Sequence, residues 1–220
     1  MDALIAGMVE RVDGLRERKK QATRVALAAA AVRLCLRDGV ERVTVDDIAA
    51  DADVSPRTFF NYFACKEEAI VDESRMRGQR LIKQLGSRPH DEAIADSLRS
   101  VMLLLVHDAT PETKRWIAEI RMLHQTPSLL PYQLGSYVAM ERSLAEVIAD
   151  RTGTDAERDM YPRLVAGLTI AATRVALSRW LDCEGRAGAA CDFVGEALDQ
   201  VAPAFALPAD RPAPVLAGTD

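Results

Sequence analysis

"VSPRTFFNYFACKEEAIV", residues 54–71, sets a Ser-Pro helix start against three phenylalanines, an asparagine and a tyrosine. Ser55 carries the hydroxyl of an N-cap, and Pro56 falls at the first helical position, where its missing N–H costs nothing. Val54 and Phe59 hold the two positions of a hydrophobic staple. The pattern predicts a helix over 56–63. In that helix Phe59 and Phe63 lie four apart and face inward, whereas Arg57 and Asn61, also four apart, face outward with Thr58 and Phe60 alongside.

Immediately upstream, "VTVDDIAADADVS" repeats the same start signal. Thr44 is placed to cap, Asp47 sits three residues on where a capping-box acid belongs, and Val43 and Ile48 form a second staple. A short helix over 45–52 follows, with Asp53 at the turn, a residue that tolerates left-handed geometry better than most. Before it, Leu27, Ala31, Leu34 and Cys35 recur at helical spacing from Thr23 onward until Gly39 closes the segment. Two short capped helices with a tight turn between them form a helix-turn-helix.

The outward groups suit DNA. Arg57 has the donor fork for guanine, Asn61 the amide for adenine, and Thr58 and Phe60 can touch a thymine methyl. Thr44, Ser55, Tyr62 and Lys66 place hydroxyls or a charge at helix ends, where phosphates are held. The run "TRVALAAAAVRLCLRDGVERVTVDDIAADADVSPRTFFNYFACKEEAIV", about fifty residues, resembles the N-terminal DNA-binding domain of TetR-family transcriptional regulators. The resemblance rests on Thr44, Ile48-Ala49, Val54-Ser55, Thr58, Tyr62-Phe63 and Lys66-Glu67. It implies that the helix beginning at Ser55 is the recognition helix and that Tyr62 and Lys66 clamp phosphates. Four positions depart from the family pattern: Asp53 for a glycine, Cys35 for a phenylalanine, Phe60 for a tyrosine, and Cys65 where a serine caps the next helix.

Charge supports a division of labour. The 220-residue chain carries a net charge of -5, yet between Arg16 and Lys66 ten Lys/Arg face seven Asp/Glu, so that segment is +3 and the remainder is -8. That balance assigns an anionic partner, if the protein has one, to the front. Cys35, Cys65, Cys183 and Cys191 are too scattered for a disulfide framework or a zinc site and fit a reducing cytoplasm. Asp2 and Glu10 interrupt the N-terminus, so no signal peptide or membrane span is expected, and the apolar run from Leu164 to Ala176 reads as a packed core helix.

Behind the helix-turn-helix, residues 91–108, 112–125, 129–152, 156–183 and 187–206 read as helices, broken at Thr110-Pro111, Thr126-Pro127, Gly153 and Gly185. The expected architecture is all-α: an arm over 1–15, a three-helix DNA-binding domain over 16–68, a helical bundle for ligand binding and dimerisation over 69–206, and a disordered tail over 207–220. The resemblance implies that the last two long helices pair with their twins as a four-helix seam. Leu164, Ala171, Val175, Leu177, Leu181, Phe193, Leu198 and Val201 supply apolar groups for it, with small residues Ala166, Gly167 and Ala172; an intrachain core uses the same residues as well. Dimerisation also follows from recognition, since two reading helices about 34 Å apart read a palindromic operator.

The resemblance further places Met102, Trp116, Met122, Tyr137 and Met140 on helices that enclose an effector, and such side chains suit a small hydrophobic molecule, though Met and aromatic stripes also build plain cores. His90, His107 and His124 lie far apart, no Glu-x-x-His pair occurs, and no nucleophile sits in a catalytic setting, so neither an enzyme nor a metal or other cofactor is expected. The sequence thus reads as a cytoplasmic, homodimeric, ligand-responsive repressor. The competing reading is an all-helical carrier or interaction protein without specific DNA binding, distinguished by whether Arg57 and Asn61 are occluded.

Overall fold

The computed structural model describes residues 2–106, 111–183 and 189–206. Among them all regular structure is helical: α1 (Asp2–Asp38), α2 (Val45–Asp51), α3 (Pro56–Phe60), α4 (Lys66–Gly86), α5 (Ile94–Leu103), α6 (Pro111–Gln125), α7 (Leu130–Thr152), α8 (Met160–Asp182) and α9 (Ala190–Val201), with 3-10 turns at Pro127–Leu129 and Ala202–Phe205. The expected tail over 207–220 and the helix stop at Gly185 fall outside the described residues.

Local signals set most boundaries. Gly39 ends α1 in the left-handed region (φ 89°), donating its N–H to the Cys35 carbonyl at 2.9 Å. Thr44 caps α2 with a complete capping box: its hydroxyl accepts from the Asp47 N–H, and the Asp47 carboxylate accepts from the Thr44 N–H. Ser55 caps α3 by accepting from the Thr58 N–H at 3.1 Å. Two lengths depart from expectation. The recognition segment is helical only to Phe60, because Asn61 and Tyr62 turn the chain, yet Phe63 still reaches the core. Helix α1 continues far upstream of Thr23, since nothing between Glu10 and Thr23 breaks a helix: "ERVDGLRERKKQAT" holds no proline and a single glycine.

The chain divides into two compact units, one of residues 1–83 with 108–140, the other of residues 84–107 with 141–220. The first is built around one core. Leu27, Ala28, Ala31 and Leu34 of α1, Ile48 and Ala49 of α2, Phe59 of α3, Phe63, and Ala69 and Ile70 of α4 meet Leu123 of α6 and Leu129. Phe59 and Phe63 are fully buried, and truncating either costs about 3–5 kcal/mol by lost transfer energy and the cavity left behind.

In the second unit α8 packs along α9, and α5 packs on α9. The buried face of α8 carries Val165, Ala166, Thr169, Thr173, Ala176, Leu177 and Leu181. Thr169 and Thr173 donate their hydroxyls to the carbonyls four residues back, each at 2.8 Å, so no polar atom is stranded in that face. Arg151 of α7 stitches the approach to α5, donating to the carbonyls of Arg88 (2.8 Å) and Pro89 (2.9 Å) and to the Ser97 hydroxyl (2.9 Å). The set of seam residues read from the sequence splits here. Leu177, Leu181, Leu198 and Ala166 are buried within the chain, and Gly167 lies against Glu141 of α7, whereas Leu164 and Val175 stay half or more exposed and Ala171 is exposed too. Helix α8 is long and apolar enough to cross a membrane by length and composition, and its apolar residues divide between the packed face and this outer stripe.

Candidate nucleic-acid interface

The outer surface of the 55–62 segment is free. Ser55, Arg57, Phe60 and Asn61 are exposed, with Phe60 at 57%, and Thr58 and Tyr62 are half-buried. The Arg57 guanidinium and the Asn61 carboxamide make no hydrogen bond to other described residues, so both point their full donor and acceptor sets outward. What holds them is underneath. Phe59 meets Phe60 edge-on at 5.5 Å and Phe63 at 5.6 Å, which fixes the ring of Phe60 upright on the surface. Ser55 and Thr58 share a hydroxyl–hydroxyl bond of 2.9 Å, leaving one O–H of the pair to donate outward.

Two expected phosphate contacts look different in three dimensions. Lys66 is no free clamp: its ammonium donates to the carbonyls of Val40 (2.8 Å) and Val43 (3.0 Å), closing the turn between α1 and α2, and only one of its three N–H groups is left over. Thr44 spends its hydroxyl on Asp47, accepting at 3.2 Å and donating at 2.6 Å, and sets a carboxylate beside itself where a phosphate would have to come. Those bonds hold the Asp47 carboxyl below its usual range.

Arg24 locks the end of the recognition segment to α1 and α4. It donates from Nε and Nη2 to both oxygens of the buried Asp72 (2.8 and 2.9 Å) and from Nη1 to the Tyr62 carbonyl (3.3 Å), and its guanidinium lies 4.6 Å from the centre of the Phe63 ring. Arg75 pairs with Asp72 from the other side. Beside Tyr62 a cleft of about 330 Å³ opens, lined by Arg16, Lys19, Lys20 and Thr23 of α1 with Asn61 and Tyr62. The four α1 residues follow the spacing 16, 19, 20, 23, which is one face of a helix.

A second polar cluster lies between α4 and α6. Glu119 is fully buried, accepts from the Ser74 hydroxyl at 2.6 Å through Oε1, and has no partner for Oε2 among the described residues. Burial pushes its carboxyl up to about 7, with Glu73 adding to the effect and Arg77 and Arg115 opposing it. Arg77 stacks 5.6 Å from the centre of the Trp116 ring, and burial lowers its pKa.

The residues read as effector-binding are spread out. Trp116, Met122, Tyr137 and Met140 belong to the first unit and Met102 to the second, where it is buried. Met122 leaves the group: it packs on the core beneath the helix-turn-helix and borders an open cleft with Cys35, Leu36, Val40 and Arg121, well around α6 from Trp116. Met140 packs against Gly78 of α4, where a Cβ would collide with its sulfur. Burial raises the Cys35 thiol to about 11, which removes it from nucleophilic chemistry. No group of three or more His, Cys, Asp or Glu among the described residues is arranged to hold a metal.

A helix-turn-helix with an open, anchored reading face, followed by an all-helical remainder, defines a class of DNA-binding regulators. Residues 27–71 match the model of bacterial regulatory proteins of the tetR family, and residues 92–206 match the MftR C-terminal domain; the chain belongs to the TetR family of transcriptional regulators. It is 36% identical over 174 residues to the HTH-type transcriptional regulator TcmR of Streptomyces glaucescens, covering 76% of either chain. It is 29% identical over 189 residues to MftR of Mycobacterium tuberculosis, whose name ties it to mycofactocin biosynthesis, covering 84% of this chain and 95% of that one. Among solved structures, a TetR-family transcriptional regulator from Rhodococcus sp. superposes with a TM-score of 0.59 at 22% identity, covering 84% of this chain and 98% of that one.

Proposed function

We propose that this protein is a cytoplasmic repressor that binds a palindromic DNA operator as a homodimer and leaves it when a small hydrophobic effector occupies the C-terminal part of the chain. Residues 16–68 serve DNA and residues 69–206 serve the effector and the dimer. The observation that carries the reading is the partner-free pair Arg57 and Asn61, exposed on a segment whose rings are anchored below. An interaction module with no DNA role has no use for a bare guanidinium and carboxamide on a segment anchored through its rings. Arg57, Thr58, Phe60 and Asn61 read bases, and Ser55 and Tyr62 hold phosphates.

Release follows from the shared core. Leu123 of α6 sits in the same cluster as α1, α2 and α3, so a ligand that shifts α6 must repack the platform beneath the reading face. The effector acts by binding the DNA-incompetent arrangement more tightly. Trp116, Tyr137 and Met140, all of the first unit, are the side chains offered to it. A thermal-shift screen against lipids and small aromatic compounds should find ligands that raise the melting temperature, because a molecule bound only by the folded state stabilises it by mass action.

The direct test is selection from a randomised duplex pool, followed by titration of the selected site across a salt series. A sequence-preferring, salt-sensitive complex is expected. A protein that enriches no sequence would return the chain to the carrier reading.

A further inference from the structure

We infer that the exposed upstream part of α1 is a second DNA-contacting element, in which Arg16, Lys19 and Lys20 grip the phosphate backbone next to the groove read by residues 57–61. The inference rests on the regulatory reading above and adds to it a contact surface outside the helix-turn-helix.

Arg16, Lys19, Lys20 and Thr23 follow the spacing i, i+3, i+4, i+7 and so share one face of α1. That face is one wall of the cleft whose other wall is Asn61 and Tyr62. None of the six lining residues is acidic. Glu17, the acid nearest in sequence, projects about 100° around the helix from Arg16 and about 60° from Lys20, and does not line the cleft. The three cations form no ion pair with a described residue, which sets them apart from Arg24, Arg33 and Arg37, each paired with an aspartate. Every residue from Arg16 to Ala22 is exposed, so this stretch of α1 serves no core. An exposed helical run normally mixes charges for solubility; here the face turned toward Asn61 brings three cations and no acid to the cleft.

Position is fixed rather than incidental. The Arg24 contacts with Asp72, the Tyr62 carbonyl and the Phe63 ring lie at the foot of this stretch, one residue beyond Thr23, and hold α1 against the end of the reading segment. Thr23 donates its hydroxyl to the Lys19 carbonyl at 3.1 Å, which keeps the helix regular there. A polyanion running alongside Asn61 and Tyr62 therefore meets three fixed-side cations without any rearrangement. The spacing of phosphates along one strand suits a row of cations on a helix face, and neither lysine has the planar fork needed to specify a base.

The test uses the full-length protein and the duplex it selects. The triple variant Arg16→Ala, Lys19→Ala, Lys20→Ala is compared with wild type by fluorescence anisotropy from 50 to 200 mM potassium chloride. Each lost phosphate contact should flatten the dependence of log K on log salt by about 0.9, so wild type should lose about 40-fold more affinity than the variant over that range. The ranking of selected sequences should stay the same, and Arg16→Lys, Lys19→Arg, Lys20→Arg should keep the wild-type slope. An alanine variant with the wild-type slope, or a charge-conserving variant that loses slope equally, overturns the inference while leaving the regulatory reading intact. A wild-type protein that selects no duplex sinks both. Circular dichroism melts of the variants should match wild type, since none of the three side chains touches the core.

Discussion

The Thr44 and Ser55 side chains each accept from a backbone N–H three residues on, caps typically worth about 1 kcal/mol apiece and set wholly by near neighbours in the chain. Asp53 takes the left-handed conformation (φ 54°) that its place between two short helices requires, at a position where the family pattern has glycine. Replacing it with glycine trades a steric cost of about 1–2 kcal/mol for an entropic one of about 0.5–1, so Asp53→Gly should stabilise by about 0.5–1 kcal/mol in chemical denaturation. Lys66 is the contrary case. Its partners, the Val40 and Val43 carbonyls, are more than twenty residues away, and no local pattern reveals them. Lys66→Ala should therefore destabilise by about 1–3 kcal/mol by stranding two part-buried acceptors. A variant of unchanged stability with one fewer unit of salt slope would restore the phosphate role instead.

Helices show where periodicity suffices and where it fails. The breaks at Pro111, Pro127 and Gly153 stand where the sequence puts them, because proline and glycine act on their own backbone. Helix α4 carries a weak sequence signal: Lys66–Gly86 is crowded with charge, and its apolar residues, such as Ile70, Leu81 and Leu85, gain meaning only from what packs on them. The same helix carries Ser74 opposite Glu119 of α6, a pairing across 45 residues. Glu119 has a measurable consequence. Burial raises its carboxyl to about 7, above the ordinary glutamate value of 4.5, so the proton is bound more tightly in the fold. The stability linked to that proton is complete below about pH 4.5 and is lost as pH rises through 7, amounting to about 3 kcal/mol by pH 8. Glu73, Arg77 and Arg115 face the carboxyl and set where in that window the loss falls. Glu119→Gln keeps an acceptor for Ser74 and cannot ionise, so the variant should gain on wild type from pH 5.5 to pH 8 in urea titrations. Parallel stability profiles would show that the carboxyl stays ionised in the fold.

At the scale of the molecule, what one chain leaves uncovered matters as much as what it buries. Met160, Leu164, Ala171 and Val175 recur along α8 at spacings of four, seven and four, with Leu168 half-buried among them, and Met160, Leu164 and Val175 are 63%, 50% and 56% exposed. The sequence showed that α8 is apolar but not how its residues divide between α9 and the outside, because both demands select the same residue types at helical spacing. A stripe of this kind over four turns is too long to be scattered surface apolarity, and in the proposed dimer the same helix of a second copy would cover it. A repressor reading a palindrome needs that second copy, since each protomer offers only one reading segment of five helical residues. Leu164→Arg with Val175→Arg puts two guanidiniums on the stripe without touching the face packed on α9. The purified variant should run as a 24.1 kDa monomer by light scattering, with its melting curve retaining a single folded transition. Its affinity for the selected palindrome should fall by about 10²–10⁴-fold, because the second half-site is no longer engaged at high effective concentration, while binding to an isolated half-site stays as in wild type. A variant that remains dimeric would place the partner surface elsewhere on the chain. One that turns monomeric yet binds the palindrome undiminished would remove the dimer from the recognition mechanism altogether.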